Sequence, residues 1–195
     1  MSRAKPALFL MLGWTALLWV LEIADSLSGN ALDTFGIRPR ELPELADIIP
    51  AAFLHFGFGH LAANTVPLFV LGFLAALRTG VRRFLAAVAL ITVVSGLGVW
   101  LTASPHSNTL GASGVVFGIL GFLLTRGFTD RSLPDVLIGL GVAVLYGSLL
   151  WGVLPGAGDV SWQGHLFGLA GGVLAAFALR ALPHRSARPA VSGVP

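Results

Sequence analysis

Residues 109–122 read T-L-G-A-S-G-V-V-F-G-I-L-G-F, and the fold turns on how this stretch is interpreted. Ser113 stands among small residues at the point where an apolar segment begins. Gly111, Gly114, Gly118 and Gly121 follow a 3-4-3 spacing, which stacks them on one helix face. A face without bulky side chains lets a second backbone come very close. At the first turn of a helix the backbone N–H groups lack intrahelical acceptors and the dipole is positive, so a developing anion is favoured there. A hydroxyl in that position, opposite a base on a tightly packed neighbour, has the setting of a nucleophile.

The surrounding composition says what kind of helix this is. Of the 195 residues, 55% are hydrophobic and only 11% charged, whereas a soluble domain carries about 25% charged residues. Mean hydropathy is +0.85. This is a membrane protein, and the length fits one compact domain. The absence of cysteine excludes disulfides, thiolate chemistry and cysteine metal sites. The formal charge of +3 and a pI near 10.6 point at first to nucleic acid, but the placement of the charges gives another explanation.

Apolar runs lie at about 7–24, 60–77, 84–104, 112–125, 133–154 and 162–182, and a span needs roughly 20 apolar residues. The expected fold is therefore all-α, a bundle of six transmembrane helices in one membrane domain, 1–183, followed by a disordered cytoplasmic tail, 184–195. The first run is too long for a signal-peptide core and reads as a retained span. With both termini on the cytoplasmic side, ten of the twelve basic residues fall inside or at the inner boundary, and only Arg38 and Arg40 lie outside. Topology thus accounts for the basic pI without a nucleic-acid partner. The lipid bilayer is the expected surrounding, as a multi-pass protein of a cell membrane. The preference for Arg over Lys hints at a GC-rich bacterial genome.

Spans two, four and six then run in the same direction, and each opens with polar residues. Span two opens with His60 and Asn64, span four with Ser113, span six with Trp162, Gln163 and His165. Each lies within a turn or two of the outer end of its helix, so four polar side chains from three helices share one depth. His60 and Asn64 are four apart and share a face. In span six Gly164, Gly168 and Gly172 repeat every fourth residue and leave a smooth strip beside His165. Two glycine faces bring Ser113 and His165 within reach of one another.

Plainer readings exist for each residue alone. Glycine strips in membranes commonly serve packing, and membrane serines commonly bond their own backbone, as expected here of Ser95 and Ser148. His55 reads as a brace for the loop entering span two. Trp14, Trp19, Trp100, Trp151 and Trp162 mostly suit interfacial anchoring. A zinc site is the weaker reading, because no HExxH occurs, spans two, four and six carry no Asp or Glu, and Ser113 is left without a role. A paired-aspartate protease fails for want of a membrane partner to Asp135. A transporter would show charges deep in its spans or an internal repeat.

Taken together, His60-Leu-Ala-Ala-Asn64, Gly111-Ala-Ser113-Gly114 and Gly164-His165-Leu-Phe-Gly168-Leu-Ala-Gly-Gly172 resemble the signatures of the rhomboid family of intramembrane serine proteases. Gly36-Ile-Arg-Pro39 and Phe53-Leu-His55 also resemble that family's first loop and its approach to span two. The resemblance runs across nearly the whole chain. It implies a six-helix bundle around a water-filled cavity open to the outside. It implies a Ser–His dyad without a third acid, Ser113 as nucleophile and His165 as general base. His60, Asn64 and the Ser113 backbone N–H would form the oxyanion hole. It further implies no metal or other cofactor, and substrates that are transmembrane proteins cut near the outer face. Lateral access is expected beside span five, whose Gly139, Gly141, Gly147 and Gly152 suggest looser packing. Two features depart from some members: the first loop has no tryptophan, and Phe117 stands where others carry tyrosine. The alternative implied by the same resemblance is a catalytically inactive, client-binding relative.

Overall fold

The structure is a computed structural model that describes residues 3–156 and 160–180. Every regular element is helical: α1 (Ala4–Leu27), a single turn α2 (Ile48–Ala51), α3 (Gly57–Thr79), α4 (Val81–Thr102), α5 (Ser113–Thr129), α6 (Leu133–Tyr146) and α7 (Trp162–Ala178). A 3-10 segment, Gly147–Val153, continues α6. Among the described residues four stretches are long and apolar enough to cross a membrane: Ala4–Leu27, Phe58–Thr79, Val81–Thr102 and Leu133–Val153. The chain is therefore a multi-pass membrane protein. The expectation was six spans, and α5 and α7, at 17 residues each, extend only about 26 Å against a hydrocarbon core of about 30 Å. The expected tail, 184–195, and the last residues of the sixth run lie outside the described residues.

The shortness of α5 reflects its position. Residues 114–123 are buried without interruption, so no face of α5 is left for solvent or lipid over that stretch, as in a helix that is apolar all round. Its glycines explain how neighbours come so close. A Cβ on Gly118 would meet the Gly168 carbonyl oxygen, and one on Gly121 the carbonyl oxygen of Leu169. On α7, a Cβ on Gly168 would collide with the Gly114 carbonyl, and one on Gly172 with the Gly118 carbonyl. The two backbones are in mutual contact over two turns, which only side-chain-free positions allow. Gly111 departs from the expectation: it precedes α5 and so does not share the helix face of the other three glycines.

The remaining helices complete the core. Ala7, Met11 and Leu18 of α1 meet Leu61, Leu68 and Leu71 of α3 in one buried cluster with Phe84 and Ile91 of α4. Trp14 belongs to this core, between the rings of Phe53 and Phe84, and is not an interfacial anchor. At the end of the bundle opposite Ser113, Arg78 binds Asp135 at 2.7 Å, and Arg126 binds Asp130 at 3.0 Å and faces Asp135 at 3.6 Å. These pairs fasten α3, α5 and the start of α6 together. Beyond that point α6 is the least embedded helix, with only Asp135, Gly139 and Val142 buried.

The glycine contacts give a direct test. Gly172→Ala drives a methyl into the Gly118 carbonyl and is expected to lower stability by about 1–3 kcal/mol, the range for overpacking. Gly141 faces open space, so Gly141→Ala is expected to be neutral or to add up to about 1 kcal/mol through helix propensity. Thermal unfolding of both variants in one detergent checks the contrast.

Candidate active site

The segment leading into α5 is held from several sides, and these ties set the position of Ser113. Ile37 and Thr109 exchange backbone hydrogen bonds at 2.8 and 3.1 Å, an isolated antiparallel bridge. The Gly111 N–H donates to the Ala51 carbonyl at 2.8 Å, and the Ala112 N–H donates to His55 Nε2 at 3.3 Å. Gly111 has φ +141°, a conformation that L side chains rarely adopt, and a Cβ there would lie 2.7 Å from the His60 ring. Glycine is thus required at 111 for backbone geometry and for the close approach of His60. The first loop needs no tryptophan to stay in place. Arg40 donates to the carbonyls of Leu101 and Ala103, at the carbonyl end of α4 where a cation is favoured, and the Trp100 indole N–H donates to the Glu41 carbonyl at 3.0 Å.

Below these ties lies a cavity of about 840 Å³ bordered by His60, Ser95, Ser113, Trp162 and Gln163, among others. Ser113 is the first residue of α5, so its own N–H is one of the groups without an intrahelical acceptor. His60 borders the cavity from α3. Its ring meets that of His55 edge-on, 5.2 Å between centroids. Asn64 is buried beneath it, and its amide N–H donates to the His60 carbonyl at 3.1 Å, so that hydrogen bond stays within α3. Gly114, Gly118, Gly164, Gly168 and Gly172 sit in the α5–α7 contact or beside it.

His165 is buried and lies flat on Phe117, with ring centroids 4.0 Å apart and an interplanar angle of 4°. Phe117 is one turn along α5 from Ser113, so the imidazole stacks on the helix face that carries Ser113. Its Nδ1 is 2.9 Å from the Gly152 carbonyl oxygen. A carbonyl oxygen only accepts, so the Nδ1 carries the hydrogen in this contact and Nε2 of the neutral ring keeps its lone pair. The Gly152 contact was not foreseeable from residue types, because a backbone carbonyl leaves no trace in the sequence. Ser95 departs from the expectation: its hydroxyl donates across to the Gly164 carbonyl on α7 at 2.9 Å, not to its own helix. That bond ties α4 to α7 one residue before His165. Among the described residues no hydrogen bond joins Ser113 to His165.

A family profile described as Rhomboid domain matches residues 43–182. The uncharacterized protein Rv1337 of Mycobacterium tuberculosis is 46% identical over 186 residues, which cover 91% of this chain and 77% of that protein. Rhomboid protease GluP of Bacillus subtilis is 31% identical over 165 residues, 83% of this chain and 32% of that protein. The putative rhomboid protease YdcA of the same organism is 26% identical over 185 residues, 90% of this chain and 89% of that protein.

The Ala112–His55 bond predicts a pH dependence of stability. Burial, with the neighbouring His60 adding to it, pushes the His55 imidazole down from 6.5 to about 4. The unfolded chain therefore takes up a proton as pH falls through about 6.5 while the folded chain does not until about 4, so stability present above pH 6.5 is lost progressively between those values. The thermal midpoint in detergent is expected to fall on going from pH 7 to 4.5. His55→Gln keeps an acceptor but does not titrate, and its midpoint should fall less over the same interval.

Proposed function

We propose that this chain, which belongs to the rhomboid family, is an intramembrane serine endopeptidase that cuts transmembrane protein substrates near the outer membrane face. Ser113 is the nucleophile and His165 the general base. The observation that carries this reading is the setting of His165: buried, stacked on Phe117 one turn from Ser113, and bonded through Nδ1 so that Nε2 is the free proton acceptor. A base needs that tautomer, and the family membership supplies the reaction class.

The steps balance as in other serine acyl transfers. His165 Nε2 takes the Ser113 hydroxyl proton as Oγ adds to the scissile carbonyl. The oxyanion accepts hydrogen bonds from the Ser113 N–H, His60 and Asn64. The amine leaves with the proton from His165, and water then hydrolyses the acyl-enzyme by the same base. Each oxyanion donor typically contributes about 3 kcal/mol to the transition state. Asn64 takes this part by releasing the His60 carbonyl or by using its second amide hydrogen.

The topology proposed with this function is a single domain, 1–183, with six spans, both termini cytoplasmic and the cavity opening outward, in a bacterial cell membrane. Positively charged residues grouped at one set of helix ends support the orientation, and α5 and α7 count as short spans sheltered by their neighbours. A peptide bond inside a helix is shielded, so the substrate must unwind locally, and helix-breaking or small residues near the scissile bond lower that cost. Access is lateral, beside the loosely embedded α6.

Cleavage of a single-span model substrate in liposomes tests the assignment. Wild type is expected to cleave, Ser113→Ala and His165→Ala to lose at least about 10³-fold in rate as in other nucleophile and base deletions, and His60→Ala and Asn64→Ala about 10²-fold each. Equal rates for wild type, Ser113→Ala and His165→Ala would end the proposal. No cleavage by folded wild type, with retained binding of the substrate, would favour the client-binding alternative.

A further inference from the structure

Gly152 occupies a place that the dyad does not account for. It lies in the 3-10 segment that continues α6, not on the helices that carry Ser113 or His165. Its carbonyl accepts the Nδ1–H of His165. Its Cα stands so close to the paired rings that a Cβ would fall 2.9 Å from Phe117 Cζ and 3.2 Å from His165 Nδ1. Three elements therefore meet at one imidazole: α7 supplies it, α5 supplies the stacking ring, and the α6 extension supplies the acceptor. The α6 side of this contact is the weakly embedded one. Along α6 and its extension, the other attachments include the Asp135 ion pairs at the far end, the close approaches of Val136 to Gly127 and of Gly139 to the Leu123 carbonyl, and Val142 in the core with Ile138, Tyr146 and Leu149 packed against it.

We infer that the Gly152 backbone carbonyl is the third member of the catalytic set, a positioning group that fixes the tautomer and plane of His165. It takes the place that a carboxylate holds in a triad. A carbonyl holds the neutral tautomer without adding a negative charge to a buried site, which is the cheaper arrangement where dielectric is low. Because this acceptor rides on the α6 extension, the competence of the base is tied to the position of that segment. Displacing the outer part of α6 from α5 withdraws the acceptor and frees the imidazole to change tautomer. The base is thus at full strength only when the segment is seated. This inference rests on the protease reading above for its consequence, but its geometry stands apart from activity.

A backbone substitution isolates the acceptor. Replacing Val153 by its α-hydroxy acid turns the Gly152 carbonyl into an ester carbonyl, a weaker acceptor, and removes the Val153 N–H, with no side chain changed. Replacing Gly152 by glycolic acid makes an ester one peptide earlier and serves as the control. In wild type, ¹⁵N NMR of the ring at high pH is expected to show the proton on Nδ1 of His165. The Val153 ester and Gly152→Ala should both raise the share of the Nε2–H tautomer. Their kcat should fall roughly three- to tenfold, within the worth of one hydrogen bond, with KM little changed, while the control ester keeps the wild-type values. A wild-type ring protonated on Nε2, or a Val153 ester matching the control in both tautomer and kcat, would overturn the inference. If folded wild type fails to cleave, the protease reading falls while the NMR comparison still decides whether Gly152 sets the tautomer.

Discussion

The contact on which everything else depends is backbone against backbone, α5 against α7. In a bilayer there is little hydrophobic drive to bring two helices together, so close packing has to come from surfaces that fit. Gly114, Gly118 and Gly121 on one side and Gly164, Gly168 and Gly172 on the other let the two backbones touch where any side chain on these positions would hold them apart. The result is that an imidazole on the first turn of α7 and a ring one turn into α5 stack at 4.0 Å. A single methyl on this face would separate the helices by more than any side-chain adjustment recovers.

The Ser113 end and the opposite end of the bundle are held by different forces. Opposite Ser113, charged pairs among Arg78, Arg126, Asp130 and Asp135 join three helices. Such pairs repay their desolvation only when the geometry is good, and removing one partner leaves an uncompensated buried charge. At the Ser113 end the ties are hydrogen bonds from loops: the Ile37–Thr109 bridge, Gly111 to Ala51, Ala112 to His55. These leave a cavity of about 840 Å³ in contact with polar groups. The loop of residues 28–56 is therefore a scaffold for the start of α5. Its anchors are Arg40 and His55, with Trp100 of α4 donating its indole N–H to the Glu41 carbonyl.

Much of this was legible in the sequence because membranes impose strong rules. Long apolar runs must be helices, since no water is available to satisfy a broken backbone, and the helices fall close to the apolar runs. Glycines at every fourth position name their own face, and His60, Asn64, Ser113 and His165 stand out because polar residues are costly there. What was not legible had physical reasons too. Gly111 continues the spacing of Gly114 and Gly118, but spacing does not reveal where a helix starts, and the chain becomes helical only at Ser113. Ser95 has an interhelical acceptor that no local pattern predicts. Trp14 sits in the core because Phe53 folds back onto α1, a long-range contact. The Gly152 carbonyl is backbone, and every residue has one.

The central claim is that Ser113 becomes a nucleophile because His165 is held beside it by the α5–α7 contact. A fluorophosphonate probe reports this directly, since it forms a bond only with an activated hydroxyl. Applied to the folded protein in detergent and mapped by peptide mass spectrometry, the adduct is predicted on Ser113 in wild type and on no residue in His165→Ala. An adduct on Ser113 at the same rate in His165→Ala, or none at all in folded wild type, would contradict the account.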